Sequence, residues 1–294
     1  MPIIDCHIHL FDTSRPQGVP WPDKSNQVLY QPALPNRYRK IAVPLGITGA
    51  IEVEASPWLE DNQWVLDTIE KDPLFLGTVG NLEPGKPDFA KQLERFHKSR
   101  LFLGIRYGNL WGRDLGAEMA KPAFVSNVKL LAEAGLTLDS ANPTPALIGQ
   151  IVRLTDSVPS LRVVVDHLPQ MRLPTEPKVL QAYRGHLAEF RKRPQIFVKL
   201  SEVLRRVNDQ IPTDLAVYRD TLDELYSVFG EDRVLYGSDW PNSDSWMPYA
   251  SGLKLVQEYF KSKGQAAAEK YFWKNSVQAY RWVKREKSQP SISG

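Results

Sequence analysis

Ile3-Ile4-Asp5-Cys6-His7-Ile8-His9 opens the chain, an apolar run whose far end carries two imidazoles two residues apart. Alternate residues of a β-strand point to the same side, so His7 and His9 are expected to project together from one strand end. A second apolar run far downstream, Val234-Leu235-Tyr236-Gly237-Ser238-Asp239-Trp240-Pro241, ends in a carboxylate. Paired imidazoles and a carboxylate suit hydrolysis, as metal ligands or carbonyl polarisers and as a general base, if the fold brings the two ends together.

The chain between them supplies such a fold. Strands are expected near Ile3–His9, Ala50–Ala55, Phe75–Asn81, Leu101–Tyr107, Leu136–Ser140, Leu161–Leu168, Ile196–Ser201 and Val234–Asp239. Helical spacing of apolar residues marks Asn62 to Lys71, Asp88 to Lys98, Val125 to Ala134, Pro143 to Thr155 and Thr213 to Phe229. Runs such as Val163-Val164-Val165 are apolar on both faces, as covered parallel strands are. Eight strands alternating with helices read as an α/β fold, a (β/α)8 TIM barrel. An open doubly wound sheet would put a glycine-rich phosphate turn after an early strand. Here the first strand ends in histidines and enters a long loop, Phe11 to Pro35, with Trp21, Tyr30 and several prolines, expected to cover substrate.

With 294 residues and no composition break, one barrel domain over 1–284 is expected, followed by a polar tail over 285–294 that frays. The formal net charge of +3 is small and interspersed, which argues against a nucleic-acid partner. No signal peptide and no membrane span is read, and the single cysteine excludes an internal disulfide, so a cytoplasmic location is expected. Alternation with the histidines is expected to turn the Cys6 thiol outward, as a small buried hydrophobe.

In a barrel the C-terminal strand ends build the active site, and here they are polar: Glu54, Arg106, Asp139 and Ser140, Asp166 and His167, Lys199 to Glu202, and Asp239. Each has a bland reading alone. A lone His-x-His is often a surface pair, His167 a packed core histidine, Asp239 a turn cap, and Lys199 a structural partner of Glu202 or Asp239. Their joint placement at separate strand ends favours a polar catalytic pocket.

Asp5-Cys6-His7-Ile8-His9, Gly104-Ile105-Arg106, Asp166-His167-Leu168, Val198-Lys199-Leu200-Ser201 and Gly237-Ser238-Asp239-Trp240-Pro241, with Lys274-Asn275-Ser276 and Tyr280, together resemble the amidohydrolase superfamily. The resemblance is to its amidohydrolase-related branch, which includes lactonases acting on pyrone dicarboxylates and sugar acids. It implies a barrel with hydrolysis at its mouth, His7 and His9 as the first-strand pair, His167 as the sixth-strand histidine, Asp239 as the water-activating aspartate, and Arg106 and Lys199 facing substrate. The chain departs from the branch at Glu54, at Leu168-Pro169-Gln170, where a glycine is usual after the leucine, and at Glu202, which also stands where glycine is common.

The sequence is therefore read as a lactone hydrolase of small molecules. His7, His9, His167 and Asp239 are the catalytic candidates. Glu54, Arg106, Asp139, Lys199, Ser201 and Trp240 are the substrate-binding candidates, and Trp58, Trp111 and Trp246 could also stack on a sugar-like ring. His7, His9 and Asp239 could hold one divalent metal, zinc being the best match. The fifth strand, Thr137-Leu138-Asp139-Ser140, lacks a histidine, so weak or partial occupancy is expected. A zinc-dependent non-oxidative decarboxylase and a catalytically silent binding protein are the alternatives. The missing histidine argues against the first and the intact His/His/His/Asp set against the second.

Overall fold

Eight parallel strands pair in chain order in the computed structural model, which describes residues 1–291. They are β1 (Ile3–Ile8), β2 (Ile47–Val53), β3 (Phe75–Gly80), β4 (Phe102–Arg106), β5 (Thr137–Ser140), β6 (Arg162–Val165), β7 (Ile196–Lys199) and β8 (Val234–Leu235). The seam between β8 and β1 is closed by backbone hydrogen bonds: Cys6 N donates to Tyr236 O at 3.0 Å, His9 N to Trp240 O at 2.7 Å, and Asp239 N to His7 O at 2.8 Å. The result is the expected (β/α)8 barrel. Among the described residues no helix is long and apolar enough to cross a membrane.

Local chemistry explains the helices. Pro145–Ser157 begins with proline at its first position, and the Thr144 hydroxyl caps it by accepting from Leu147 N. It buries Leu147, Ile148, Ile151 and Leu154. These join the outer core between helices and strands, with Val163, Val165, Ile196 and Val198.

The barrel interior is separate. Its lower part is apolar, with Ile4, Cys6, Ile51, Val79, Leu103, Val164, Phe197 and Leu235 in contact with Ala279, Tyr280 and Trp282 of the closing C-terminal segment. Cys6 therefore points into the barrel, not outward. Asp5 pairs with Ala50 and Ile8 with Glu52, so β1 spends three residues where β2 spends two. This β-bulge breaks the alternation and lets Cys6 and His7 both face inward.

Asp5 ties the two ends that matter. Its buried carboxylate accepts from Ser238 N at 2.8 Å, Tyr249 OH at 2.8 Å and Tyr38 OH at 2.9 Å. Gly237 makes the approach possible, because a Cβ there would stand 2.8 Å from His7 Cβ.

The tail does not fray over its described part. The Arg285 guanidinium donates to the carbonyls of Ile69, Glu70, Asp72 and Phe75. Gln289 is buried, and its amide donates to Pro73 O at 2.6 Å. Residues 292–294 lie outside the described residues.

Candidate active site

Along the strand direction the interior turns from apolar to ionic. Lys199, at the end of β7, is fully buried and donates to Asp139 Oδ2 at 2.7 Å, with Asp166 Oδ1 at 3.0 Å and His7 Nδ1 at 3.2 Å. Tyr280 OH also donates to Asp139 Oδ2, at 2.7 Å. Arg106 Nε donates to Asp166 Oδ2 at 2.9 Å. Burial works against ionised Asp166, but Lys199, His7 and Arg106 outweigh it and hold the carboxyl well below the usual range. Burial likewise opposes the Lys199 charge, and Asp139 and Asp166 more than restore it.

Above this layer three imidazoles converge on one carboxylate oxygen. Asp239 Oδ1 lies 3.1 Å from His9 Nε2, 3.4 Å from His7 Nε2 and 3.5 Å from His167 Nε2. The other ring nitrogens face outward. His9 Nδ1 is 2.7 Å from Val53 O, His167 Nδ1 is 2.8 Å from Ser201 Oγ, and His7 Nδ1 is 3.4 Å from Asp166 Oδ1. A carbonyl only accepts, so His9 must donate from Nδ1, and in its neutral form it turns a bare Nε2 towards Asp239. Among the described residues His7 Nε2 is buried without a hydrogen-bond partner.

A bare His9 Nε2 facing a carboxylate oxygen fits a bound cation. A tetrahedral ion with bonds of about 2.0–2.1 Å sets its ligand atoms about 3.3 Å apart, close to the distances here. His7, His9 and Asp239 offer ligand atoms all within 4.8 Å of one another. His9 also has the outer hydrogen bond that fixes a ligating histidine.

Burial, with Lys199 adding to it, pushes His7 well below the usual imidazole range, and burial pushes His167 down to about 4. Both are neutral at pH 7. Burial would raise the Asp239 carboxyl, but His167, His9 and His7 hold it well below the usual range, so it is ionised. Asn242 Nδ2 donates to its second oxygen at 2.6 Å. His167, Glu202 and Asp239 all take left-handed backbone, with φ of 48°, 48° and 60°. Such conformations cost about 1–2 kcal/mol each and gather where side chains must be aimed.

These groups open onto a cavity of about 270 Å³ at the barrel mouth. His9, His167 and Asp239 form its floor, Arg106 and Glu54 one part of its wall, and Glu202 and Asn242 another. Trp21, from the long loop after β1, and Trp111, after β4, also line it. Trp111 Nε1 donates to Glu54 Oε2 at 3.0 Å, and Ser56 N to the same oxygen at 3.1 Å. Burial pushes the Glu54 carboxyl up to about 7, with Arg106, Arg113 and Trp111 opposing.

Of the expected site residues, the structure brings His9, His167, Asp239, Glu54 and Arg106 to the cavity. His7 lies just beneath, in contact with Asp239. Lys199 and Asp139 lie deeper, their polar groups committed to the ionic layer, and Lys199 pairs with neither Glu202 nor Asp239. Ser201 stands behind His167. Trp240 is fully buried, 5.2 Å from the Tyr38 ring and under the Arg37 guanidinium. Trp58 and Trp246 are not among the lining residues. Asn142 and Asn242 are lining residues that strand-end reasoning missed. Asn142 sits on a loop and Asn242 opens a short 3-10 turn, Asn242–Ser245, and the one available signal was the nearness of Asn242 to Asp239 in sequence.

A family model described as amidohydrolase matches residues 4–282. An L-fucono-1,5-lactonase from Burkholderia ambifaria is 23% identical over 242 residues, covering 82% of this chain and 80% of that protein. The crystal structure of an amidohydrolase from Burkholderia multivorans with bound zinc superposes with a TM-score of 0.83 at 20% identity, covering 96% of this chain and 100% of that one. A probable 2-pyrone-4,6-dicarboxylic acid hydrolase from Acinetobacter baumannii, with citric acid bound, does so with a TM-score of 0.71 at 19% identity, covering 96% and 100%. At these identities the two structures speak for the barrel.

Proposed function

The chain belongs to the amidohydrolase family, and from that premise we propose that it hydrolyses a small-molecule lactone to the open hydroxy acid. The observation that carries this reading is the convergence of three imidazole nitrogens on Asp239 Oδ1 at the floor of a polar cavity. The lactonase relative, similar over most of both chains, supports the same chemistry.

Asp239 takes a proton from water as the water oxygen attacks the lactone carbonyl. The ring C–O bond then breaks, and the departing alkoxide recovers that proton. Asn242 holds the second Asp239 oxygen and so keeps Oδ1 directed at the imidazoles. His167, neutral and braced by Ser201, lies beside the developing oxyanion and can donate from Nε2 when its Nδ1 accepts from the serine. Arg106 spends Nε on Asp166 and turns its outer edge to the substrate's oxygens. Lys199, Asp139 and Asp166 act from below by fixing His7 and Arg106. Trp21 and Trp111 flank the ring.

His7, His9 and Asp239 would hold a single divalent ion, zinc being the best match. Bound there, it would polarise the carbonyl and lower the pKa of water. A cytoplasmic small-molecule enzyme is the setting this reading implies.

The test is acid release from a panel of aldonolactones and pyrone carboxylates, before and after chelation and metal restoration. Turnover of at least one class supports the reading. Inactivity of the metal-loaded protein on both classes contradicts it.

A further inference from the structure

We propose that Tyr280, from the closing C-terminal segment, is a positioning residue of the hydrolysis: its hydroxyl holds Asp139 so that Lys199 stays under His7. This rests on the lactonase reading and adds to it a residue that is not among those lining the catalytic cavity.

Tyr280 ends the helix Asn275–Tyr280, and Arg281 beyond it takes left-handed backbone with a φ of 55°. The side chain is buried and shares the apolar lower interior with Cys6, Leu103, Val164 and Leu235. Its hydroxyl reaches the ionic layer above and donates to Asp139 Oδ2 at 2.7 Å. The ring lies 5.6 Å from Lys199 Nζ, within reach of a cation–π contact. From there contacts run to the reacting groups. Lys199 Nζ is 2.7 Å from Asp139 Oδ2 and 3.2 Å from His7 Nδ1, and His7 Nε2 is 3.4 Å from Asp239 Oδ1.

Competition for the ammonium gives the hydroxyl its role. A carboxyl oxygen has about two acceptor positions. Those of Asp139 Oδ2 are filled by Tyr280 and Lys199, while Oδ1 faces Thr137 Oγ1 at 3.2 Å. Oδ2 accepts from both donors whether or not Oδ1 carries a proton. With one position taken by Tyr280, Lys199 approaches through the other, and its remaining hydrogens are left for Asp166 Oδ1 at 3.0 Å and for His7 Nδ1. The His7 contact is the longest of the three and so the first to be lost. Without the hydroxyl, Asp139 offers Lys199 a second position nearer the base, and the ammonium is drawn away from His7. Arg106 holds the other oxygen of Asp166 at 2.9 Å, so the guanidinium that faces substrate keeps its anchor. The cost falls on the chemical step and not on affinity.

Tyr280→Phe removes the hydroxyl and keeps the ring. The segment has other anchors, Arg162 Nε on Ala279 O at 2.7 Å and Trp282 Nε1 on Ser276 Oγ at 2.9 Å, so the variant should fold, as thermal melting checks. Trp282→Phe is the control, because it loosens the same segment without touching Asp139. In Tyr280→Phe, kcat for a neutral, polyhydroxylated 1,5-lactone should fall about tenfold or more, with KM and the calorimetric affinity for the matching lactam unchanged. The ring-nitrogen NMR signals of His7, in protein with isotope-labelled histidines and assigned by their loss in His7→Ala, should shift, which needs no turnover. Trp282→Phe should lower the melting temperature and leave both kcat and the His7 signals where they were. Unchanged kcat and unmoved His7 signals in Tyr280→Phe would overturn its assignment and leave the hydrolase standing. Equal losses of kcat in the two variants would overturn it too, by showing a merely structural role. Shifted His7 signals in a protein that opens no lactone would support the positioning by Tyr280 and refute the hydrolase.

Discussion

Replacing Glu52 with glutamine should flatten the loss of stability on going from mildly acidic to neutral pH. Glu52 lies fully buried on β2, two residues before Glu54. Its Oε2 accepts from the Thr78 hydroxyl, and among the described residues its Oε1 has no hydrogen-bond partner. Burial pushes this carboxyl from 4.5 up to about 8, with Thr78 and the Leu10 backbone opposing. The folded protein therefore holds a proton that the unfolded chain releases. Stability from this group is complete below about pH 4.5 and is lost as pH rises towards 8. Each tenfold in proton affinity is about 1.4 kcal/mol, so by pH 7 the loss is about 3 kcal/mol. Glutamine is uncharged throughout. A buried amide hydrogen left without a partner adds a constant offset that does not depend on pH. The observable is thus the difference in unfolding free energy between Glu52→Gln and wild type, from urea titrations between pH 4.5 and 8. It should shift in favour of the variant by about 3 kcal/mol between pH 4.5 and 7. A flat difference would mean that Glu52 titrates as in water and that its burial carries no such penalty.

Elemental analysis of the purified protein should find at most one divalent ion per chain, reduced in His9→Ala, and two tightly held ions would refute the single His7/His9/Asp239 site. Arg106→Met should lower kcat/KM on the good substrate at least tenfold and also cost about 3 kcal/mol of stability, because it leaves Asp166 short of a buried partner; an unchanged melting temperature would show that the ion pair carries little. Arg285→Ala should destabilise by about 2 kcal/mol, through the carbonyls of Ile69, Glu70, Asp72 and Phe75, with kcat unchanged; loss of kcat without loss of stability would contradict its position at the base of the barrel.

Strand-end chemistry was legible in the sequence because it depends on position along the chain. Apolar runs that stop at His9, Arg106, His167 and Asp239 stop at the barrel mouth, and a barrel gathers its mouths together. Depth and direction were not legible. Lys199 and Asp139 end their strands as Arg106 does, yet they point at each other beneath the cavity, because a lysine and two aspartates can be buried only as a set. The Cys6 direction failed for a different reason. One added residue in β1 reverses side-chain parity, and no local composition marks it. The aromatic wall was half visible. Trp111 was among the candidates by its place after a strand, whereas Trp21 came from the long loop. Trp240 was drawn away to pack against Tyr38. The tail reads as polar because Arg285 and Gln289 hydrogen-bond to carbonyls, which a hydrophobic pattern does not register.

The central claim is that Asp239, among three imidazoles, drives lactone opening. The most direct measurement is the initial rate of acid release from a neutral, polyhydroxylated 1,5-lactone by wild type, Asp239→Asn and His7→Ala, all metal-loaded and verified as folded. The account predicts turnover by wild type and a fall in kcat of at least about a hundredfold in each variant. Near wild-type rates in either variant, or no lactone opening by the loaded wild type, would contradict it.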